Sequence, residues 1–288
     1  MICLSVTLIA LLSGCSGEGG GTTTGGGTTT TLSYETLFST ASSTSTLAGS
    51  AIRSNGTTGT LDVTTASGAL THNTGATTVS DGTYSLTDAD GISGGVLTDG
   101  SSTLTSNGSQ GFTGTYEYVR AHNQTYTSGG VTYDSNGVYG IVTTASDVPS
   151  SGTATYTGEA RGFVVTGAQG FDLNNGTSTV VADFGSGTVK ATLTGFSATN
   201  QATGAAATAP IDTISATGMT ISGNGFSGGT ITTANGGAVT SVTGPNTSVA
   251  GQGHFFGYDG TNAQPDEVGG NLLLQGDNGR VLGTFIAD

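Results

Sequence analysis

Basic residues are scarce in this chain: among 288 residues there are five, Arg53, Arg120, Arg161, Lys190 and Arg280, against nineteen acidic ones, for a formal net charge of −14. The five are scattered, so no cluster can neutralise a row of phosphates, and nucleic acid is excluded as a partner. The same scarcity excludes a polybasic grip on anionic lipid. Tryptophan is absent, and proline occurs four times. Cysteine is confined to Cys3 and Cys15, so the rest of the chain has no disulfide and no thiolate metal site. Helix formers at 3.6-residue spacing are nearly absent after residue 15, which leaves helix a minor component.

Glycine is abundant, at 52 residues, with Thr, Ser, Ala and Asn filling much of the remainder. Such a composition suits either disorder or turn-rich β-structure. A charged fraction of only 8% and repeated apolar alternation favour the second. The length accommodates one large or two ordinary domains.

Met1 to Leu12 is an apolar run, too short to span a bilayer as a mature helix. It reads as the core of a signal peptide, although no Lys or Arg precedes it. Leu12-Ser13-Gly14-Cys15 resembles the lipobox of bacterial lipoproteins. That resemblance implies cleavage before Cys15 and acylation, as with palmitate, of its thiol and of the new amino terminus. Several acyl chains anchor a protein firmly, and Ser16 in place of Asp after the cysteine points to the outer membrane. Residues 16–31, SGEGGGTTTGGGTTTT, hold no group to bury and form a flexible tether. The expected segments are a signal peptide over 1–14, lipid anchor and tether over 15–31, a β-rich handle over 32–150 and a barrel over 151–288.

From Leu32 to about Val148, short apolar stretches alternate with turn signals. Strands are predicted around Gly59–Val63 and Gly94–Leu97. A clearer unit runs through Gly114–Arg120 and Gly130–Tyr133, turns at Asp134-Ser135-Asn136-Gly137, and continues into Val138–Val142. Asp147–Gly152 then breaks the pattern and marks a boundary. Beyond it, Ala154, Tyr156, Gly158, Ala160 and Gly162 share one face of a strand, and Thr153, Thr155, Thr157, Glu159 and Arg161 share the other. Val180, Ala182 and Phe184, then Val189, Ala191 and Leu193, repeat the pattern. Such period-two alternation describes a sheet with one wet side. Further strands near 213–221, 226–233, 238–243, 268–274 and 280–286 bring the total to about eight, at which a closed barrel is just filled by side chains. Small inward residues suit a narrow interior, and a membrane barrel would need an apolar outer band instead. The expected fold class is all-β: an N-terminal β-rich handle followed by an eight-stranded antiparallel soluble β-barrel.

Gly253-His254-Phe255-Phe256-Gly257, Glu267-Val268-Gly269-Gly270 and Gly283-Thr284-Phe285 resemble the closing strands of the barrel domain of transferrin-binding protein B-like surface lipoproteins. Gly152–Gly158 resembles its first strand, and Ala182-Asp183-Phe184 with Gly187-Thr188-Val189 its next hairpin. The resemblance covers roughly residues 150 to 288. It implies structural roles for Gly253, Phe255, Phe256, Gly257, Glu267, Gly269, Gly270, Gly283 and Phe285. It also implies a non-catalytic binding module at the outer membrane and cell surface, without a cofactor, that captures an iron source or another solute or protein ligand beside an outer-membrane transporter or translocator.

Catalytic patterns are weak by comparison. Gly91-Ile92-Ser93-Gly94-Gly95 and Gly225-Phe226-Ser227-Gly228-Gly229 match a nucleophile elbow in letters, but an elbow needs a strand-to-helix turn. His72, His122 and His254 lack ligand spacing. Asp88-Ala89-Asp90-Gly91 begins like a calcium loop yet lacks its distal glutamate, and reads as a turn. Glu159, Asp266 and Glu267 could serve a hydrolase only if the fold brought them together. Tyr116, Tyr118, Tyr126, Tyr133 and Tyr139 crowd one region. Tyrosine offers rigid amphipathic area to partners and is equally at home on a sheet face, so these five are the candidate partner-binding patch. The alternative reading is a structural, adhesin-like surface β protein, although a solenoid needs a fixed repeat and none is found.

Overall fold

A computed structural model describes residues 44–288, leaving out 56–60, 74–75, 81–84, 89–94, 100–101, 106–110, 129–130, 246, 259 and 261–262, and gives the backbone alone for the strands within 44–105, for 122–128 and 131–135, and for Tyr139. The first sheet contains β1 (Thr44–Asn55), β2 (Leu61–Asn73), β3 (Ala76–Ser80), β4 (Ser85–Asp88), β5 (Gly95–Asp99), β6 (Ser102–Thr105), β7 (Val119–Ser128) and β8 (Val131–Ile141). Its order is β6-β5-β4-β3-β2-β1-β8-β7, with every ladder antiparallel.

β2 and β5 overlap the two short strands expected in this region. The expected turn at Asp134–Gly137 is overturned. These residues run through the interior of β8, with Asp134 opposite Thr125 and Gly137 opposite His122 on β7. On its other side the same stretch pairs with Ala51–Ser54 of β1. Ladders on both sides hold Asn136-Gly137 extended, so tertiary pairing overrides a local turn preference. Gly114–Tyr118 is not a strand either, since β7 begins at Val119.

The second sheet contains β9 (Thr153–Thr166), β10 (Gln169–Asp183), β11 (Thr188–Thr194), β12 (Ser197–Asn200), β13 (Ala206–Ala207), β14 (Thr213–Ser222), β15 (Gly225–Ser227), β16 (Thr230–Asn235), β17 (Ala238–Val239), β18 (Ser248–Phe256), β19 (Glu267–Gly276) and β20 (Gly279–Ala287). Eight of them close a ring, β9-β10-β11-β14-β15-β18-β19-β20 and back to β9, through antiparallel ladders. β12 and β13 attach outside the ring to the first half of β10, and β16 and β17 to the first half of β14. The expected barrel is therefore present with a different membership. The segment 226–233 divides at Gly228 and Gly229, whose φ values of 83° and 82° break the strand into β15 and β16. The segment 238–243 supplies only the two-residue β17, and β18 takes the remaining ring position.

Two bulges keep the apolar face turned inward over long strands. Asn174 and Asn175 stand together opposite Arg161, with Asn175 at φ 56°. Thr217 and Gly218 stand opposite Lys190, with Gly218 at φ 71°. Each extra residue shifts the parity, so Leu173 and Val180 both point inward, as do Ala216 and Met219.

The lumen is filled by side chains. Tyr156, Leu193, Ile214, Met219, Phe255 and Phe285 are all fully buried, and the Phe255 ring lies 5.6 Å from Phe184 and 5.4 Å from Phe226. Gly253 makes this possible, because a Cβ there would lie 2.4 Å from both the Gly269 carbonyl oxygen and the Phe226 ring. Outward positions of β9, β10 and β14, such as Thr155, Thr179 and Thr220, are exposed. On β19, by contrast, every residue from Glu267 to Leu274 is buried. The first sheet covers the outer side of β18, β19 and β20, so β19 has no wet face.

Truncating Phe255 to Ala should cost about 3–5 kcal/mol, as expected for a deleted core aromatic. Thr179→Ala on the wet face should stay within about 0.5 kcal/mol. Urea denaturation of both variants checks the pair; equal effects would mean that the aromatic core is not what closes the barrel.

Candidate functional site

Adjacent residues on a strand point to opposite faces. Phe255 therefore enters the barrel core, and Phe256 enters a second apolar cluster outside it. That cluster joins Phe112, Tyr116, Tyr118, Val119, Ala121 and Val138 to Phe256 and Ile286 of the barrel wall. A single bridge pairs Val142 with Phe256. Around it, Gly257 donates its N–H to the Ile141 carbonyl at 2.9 Å, Thr143 donates its N–H to the Phe255 carbonyl at 3.0 Å, and the Thr143 hydroxyl donates to the Gly257 carbonyl at 2.6 Å.

The segment 111–119, which runs into the first residue of β7, forms a strap across the outer faces of β9, β20 and β19. On β9, Thr113 donates its N–H and its hydroxyl to Glu159 at 2.7 and 2.5 Å. Arg161 donates to the Gly111 carbonyl and lies 6.0 Å from the Phe112 ring centroid. On β20, the Tyr116 hydroxyl donates to the Ile286 carbonyl at 3.3 Å. On β19, Glu267 accepts three consecutive amides. Its Oε1 takes Glu117 N–H at 2.5 Å, and its Oε2 takes Tyr118 and Val119 N–H at 2.9 Å each. Arg120 stiffens the same turn by donating from Nη1 to the Tyr116 carbonyl and, at 2.7 Å, to the Val119 carbonyl.

The barrel sequence prepares this contact residue by residue. Glu267 lies opposite Phe256 in the ladder and so shares its outward face. Gly269, two residues on, is bare where Val119 approaches; a Cβ there would be 3.3 Å from a Val119 methyl. Gly257, at φ 66°, lets the Tyr118 ring lie against the backbone, where a Cβ would come within 2.2 Å. Gly270 and Gly283 face the lumen instead, against Phe285 and Leu193.

Glu267 is only 4% exposed. Burial pushes its carboxyl up to about 7, against the three N–H donors and the Arg120 guanidinium, which pull it down. Burial also raises the Tyr116 phenol above its usual range, with the Glu159 charge adding to it. Burial lowers His254, whose Nδ1 has no partner, to about 4.

The residues marked by sequence fall into distinct places. Tyr116 and Tyr118 are 4% and 6% exposed and pack in the junction. Tyr126 stands opposite Tyr133, and Tyr139 opposite Arg120, in the β7–β8 ladder. Cys15 lies outside the described residues, as do most of Asp88–Gly91 and Gly91–Gly95. Ser227 ends β15 and is followed by β16 instead of a helix, so it is not on an elbow. The histidines lie on β2, β7 and β18. Glu159 and Glu267 are both occupied by strap donors rather than aimed at a common point. Among the described residues, no group of three or more His, Cys, Asp or Glu could hold a metal, and no helix is long and apolar enough to cross a membrane. The anchoring roles of Phe112, Thr113, Glu159 and Arg161 had no sequence signal, since nothing periodic links residue 112 to residue 161.

Replacing Glu267 by Ala takes the acceptor from the buried Tyr118 and Val119 N–H groups and from the part-buried Glu117 N–H, and should cost about 3 kcal/mol. Hydrogen exchange should then show lost protection at Glu117, Tyr118 and Val119 while β10 and β11 remain protected. Unchanged protection at those three amides would show that the carboxylate does not hold the strap.

Residues 148–288 match the family model described as the C-lobe and N-lobe beta barrels of Tf-binding protein B. Among solved structures, the chain is similar to transferrin binding protein B from Haemophilus parasuis Hp5 at 19% identity and a TM-score of 0.48, covering 83% of this chain and 45% of that one. It is similar to the isotype 1 protein from serogroup B Neisseria meningitidis at 17% identity and a TM-score of 0.46, covering 83% and 43%. A structure described as a surface lipoprotein aligns at 13% identity and a TM-score of 0.32, covering 84% and 98%. The chain thus spans less than half the length of the transferrin-binding proteins it resembles. No curated protein matches it. The match is to the beta barrels of that family and covers the ring of strands from β9 to β20.

Proposed function

We propose that the protein is a lipid-anchored outer-membrane lipoprotein, exposed at the cell surface, that acts as a binding module and captures an iron source or another solute or protein ligand. The observation that carries this reading is the family match over 148–288 together with a barrel whose lumen is packed with aromatic and aliphatic side chains. A filled lumen leaves recognition to outer surfaces and loops, which are where rigid scaffolds carry binding residues. Anchoring is assigned to Cys15, with the Gly/Thr tether of 16–31 spacing the folded part from the membrane. An outer-membrane transporter or translocator is the natural neighbour for such a module.

Register narrows the partner-binding patch. Ala121 and Val138 pair across β7 and β8 and are buried against the barrel. Tyr126, Tyr133 and Tyr139 occupy the alternate positions and share the opposite face with His122 and Gln124. We assign this tyrosine face to the ligand, in place of Tyr116 and Tyr118.

Metabolic labelling with a palmitate analogue should mark the wild type and fail with Cys15→Ala. Protease added to intact cells should remove an epitope placed after residue 150. Full protection until the outer membrane is opened would refute surface exposure. In solution, Tyr126→Ala with Tyr133→Ala should weaken binding of an iron-carrying ligand, presented as holo-transferrin or haem, at least about tenfold, the loss of a central aromatic pair. Unchanged affinity would remove the tyrosine face from the proposal.

A further inference from the structure

We propose that Asn235 is a self-deamidation site, at which the Asp212 carboxylate draws the proton from the Gly236 amide while that nitrogen attacks the Asn235 side chain. The site belongs to the β16–β17 hairpin and uses none of the residues assigned to the ligand or the strap.

The chain contains seven Asn-Gly steps. Glycine leaves its amide unshielded by a Cβ, so sequence alone does not separate them. The steps at Asn55 and Asn107 include residues outside the described ones. The fold separates the other five. Asn136-Gly137 is held between two ladders, and Gly137 is buried. Gly176 and Gly225 are buried as well, the first paired with Ala160 and the second with Ser222 and His254. Gly279 is paired on both sides, with Gly276 and Thr166. Gly236 instead stands in the two-residue turn between the paired Asn235 and Ala238, and both Asn235 and Gly236 are exposed.

In that turn the Gly236 N–H donates to Asp212 Oδ2 at 2.7 Å. Asp212 is itself fixed, since its own N–H donates at 2.9 Å to the carbonyl of Ala234, the residue before Asn235. Its other oxygen, Oδ1, is buried and has no hydrogen-bond partner, so the contact through Oδ2 orients the carboxylate. Gly236 and Gly237 turn the chain at φ values of 57° and 82°, a conformation that suits residues without a Cβ. An amide proton lies in the peptide plane, whereas the electrons that attack a carbonyl carbon stand perpendicular to it. Asp212 therefore takes the proton without occupying the side from which the nitrogen meets Asn235 Cγ.

The bond from Gly236 N to Asn235 Cγ forms as Asp212 Oδ2 accepts the N–H proton. The Cγ–Nδ2 bond then breaks, and Nδ2 leaves as ammonia with the proton that Asp212 returns. A five-membered imide remains. Water opens it at either carbonyl. Breaking the bond to Cγ gives aspartate, and breaking the bond to the main-chain carbonyl carbon gives isoaspartate, with the chain rerouted through Cβ. Asn235 and one water thus become an acidic residue and one ammonia, and Asp212 is unchanged. Both products add a negative charge to a turn that the Asp212 carboxylate already touches. Isoaspartate also lengthens, by a methylene, a turn whose length sets the strand register, so the β16–β17 pairing weakens as the molecule ages.

Incubation of the full-length protein at neutral pH, followed by peptide mass spectrometry, tests the assignment. Conversion at Asn235 should be at least about tenfold faster in the folded protein than in urea, the gain expected of a positioned base. Asn136, Asn175, Asn224 and Asn278 should convert more slowly folded than unfolded. Hydroxylamine, which cleaves the imide, should release a fragment ending at residue 235. Asp212→Asn with a wild-type melting temperature should slow Asn235 by a similar factor. A folded rate at Asn235 equal to or below the rate in urea overturns the proposal without any variant, and so does an unchanged rate in folded Asp212→Asn.

Discussion

Three backbone amides in a row on one buried carboxylate are the contact around which the two sheets are organised. Glu267 cannot be removed without taking the acceptor from the buried Tyr118 and Val119 amides and from the part-buried Glu117 amide. The other strap contacts depend on this placement. Once Val119 is fixed, β7 starts at a defined height, β8 follows in register, and Ala121 and Val138 settle on the barrel wall. At the other end of the strap, Phe112 and Thr113 meet Arg161 and Glu159 of β9.

That anchoring gives β18, β19 and β20 two interiors to serve. Their inward side chains fill a lumen, and their outward ones fill the junction. The alternation of Phe255 with Phe256, and of Phe285 with Ile286, divides neighbouring apolar residues between the two. Glycine at 253, 269 and 270 is needed because both faces are crowded and backbone must approach backbone or ring on each side. On the opposite wall, β10 and β14 face water and keep an apolar-in, largely polar-out pattern that each resets once at its bulge.

The parts of the fold legible in the sequence were those with a wet face. There the period-two signal of β9, β11 and the last part of β10 is clean and falls within those strands, whereas the first part of β10, before and across its bulge, was not read from alternation. Where both faces are buried, alternation vanishes, and β18 could be noticed only through its resemblance to a known barrel. Asn136-Gly137 was misleading because turn preference is local and the two ladders that flatten it are not. The junction was the least legible. Glu267 could be marked as a residue preceding Gly-Gly, but its partners are some 150 positions away and are backbone atoms that carry no residue identity. The tyrosine cluster illustrates the same limit, since composition could not separate Tyr116 and Tyr118 in the core from the three on β7 and β8.

Ring closure has a kinetic consequence. The barrel becomes a barrel only when β20 pairs with β9, the first strand of the ring with the last, and Gly279 meets Thr166 while Ala287 meets Gly158. Until then the sheet is an open ribbon with two unpaired edges and a half-buried aromatic face, the state most exposed to edge-to-edge association. Such non-local pairing makes folding slow compared with helical domains of similar size. A chain of this kind therefore spends its vulnerable time before closure, and its net charge of −14, nineteen acidic residues against five basic, opposes the approach of neighbouring open ribbons during that interval.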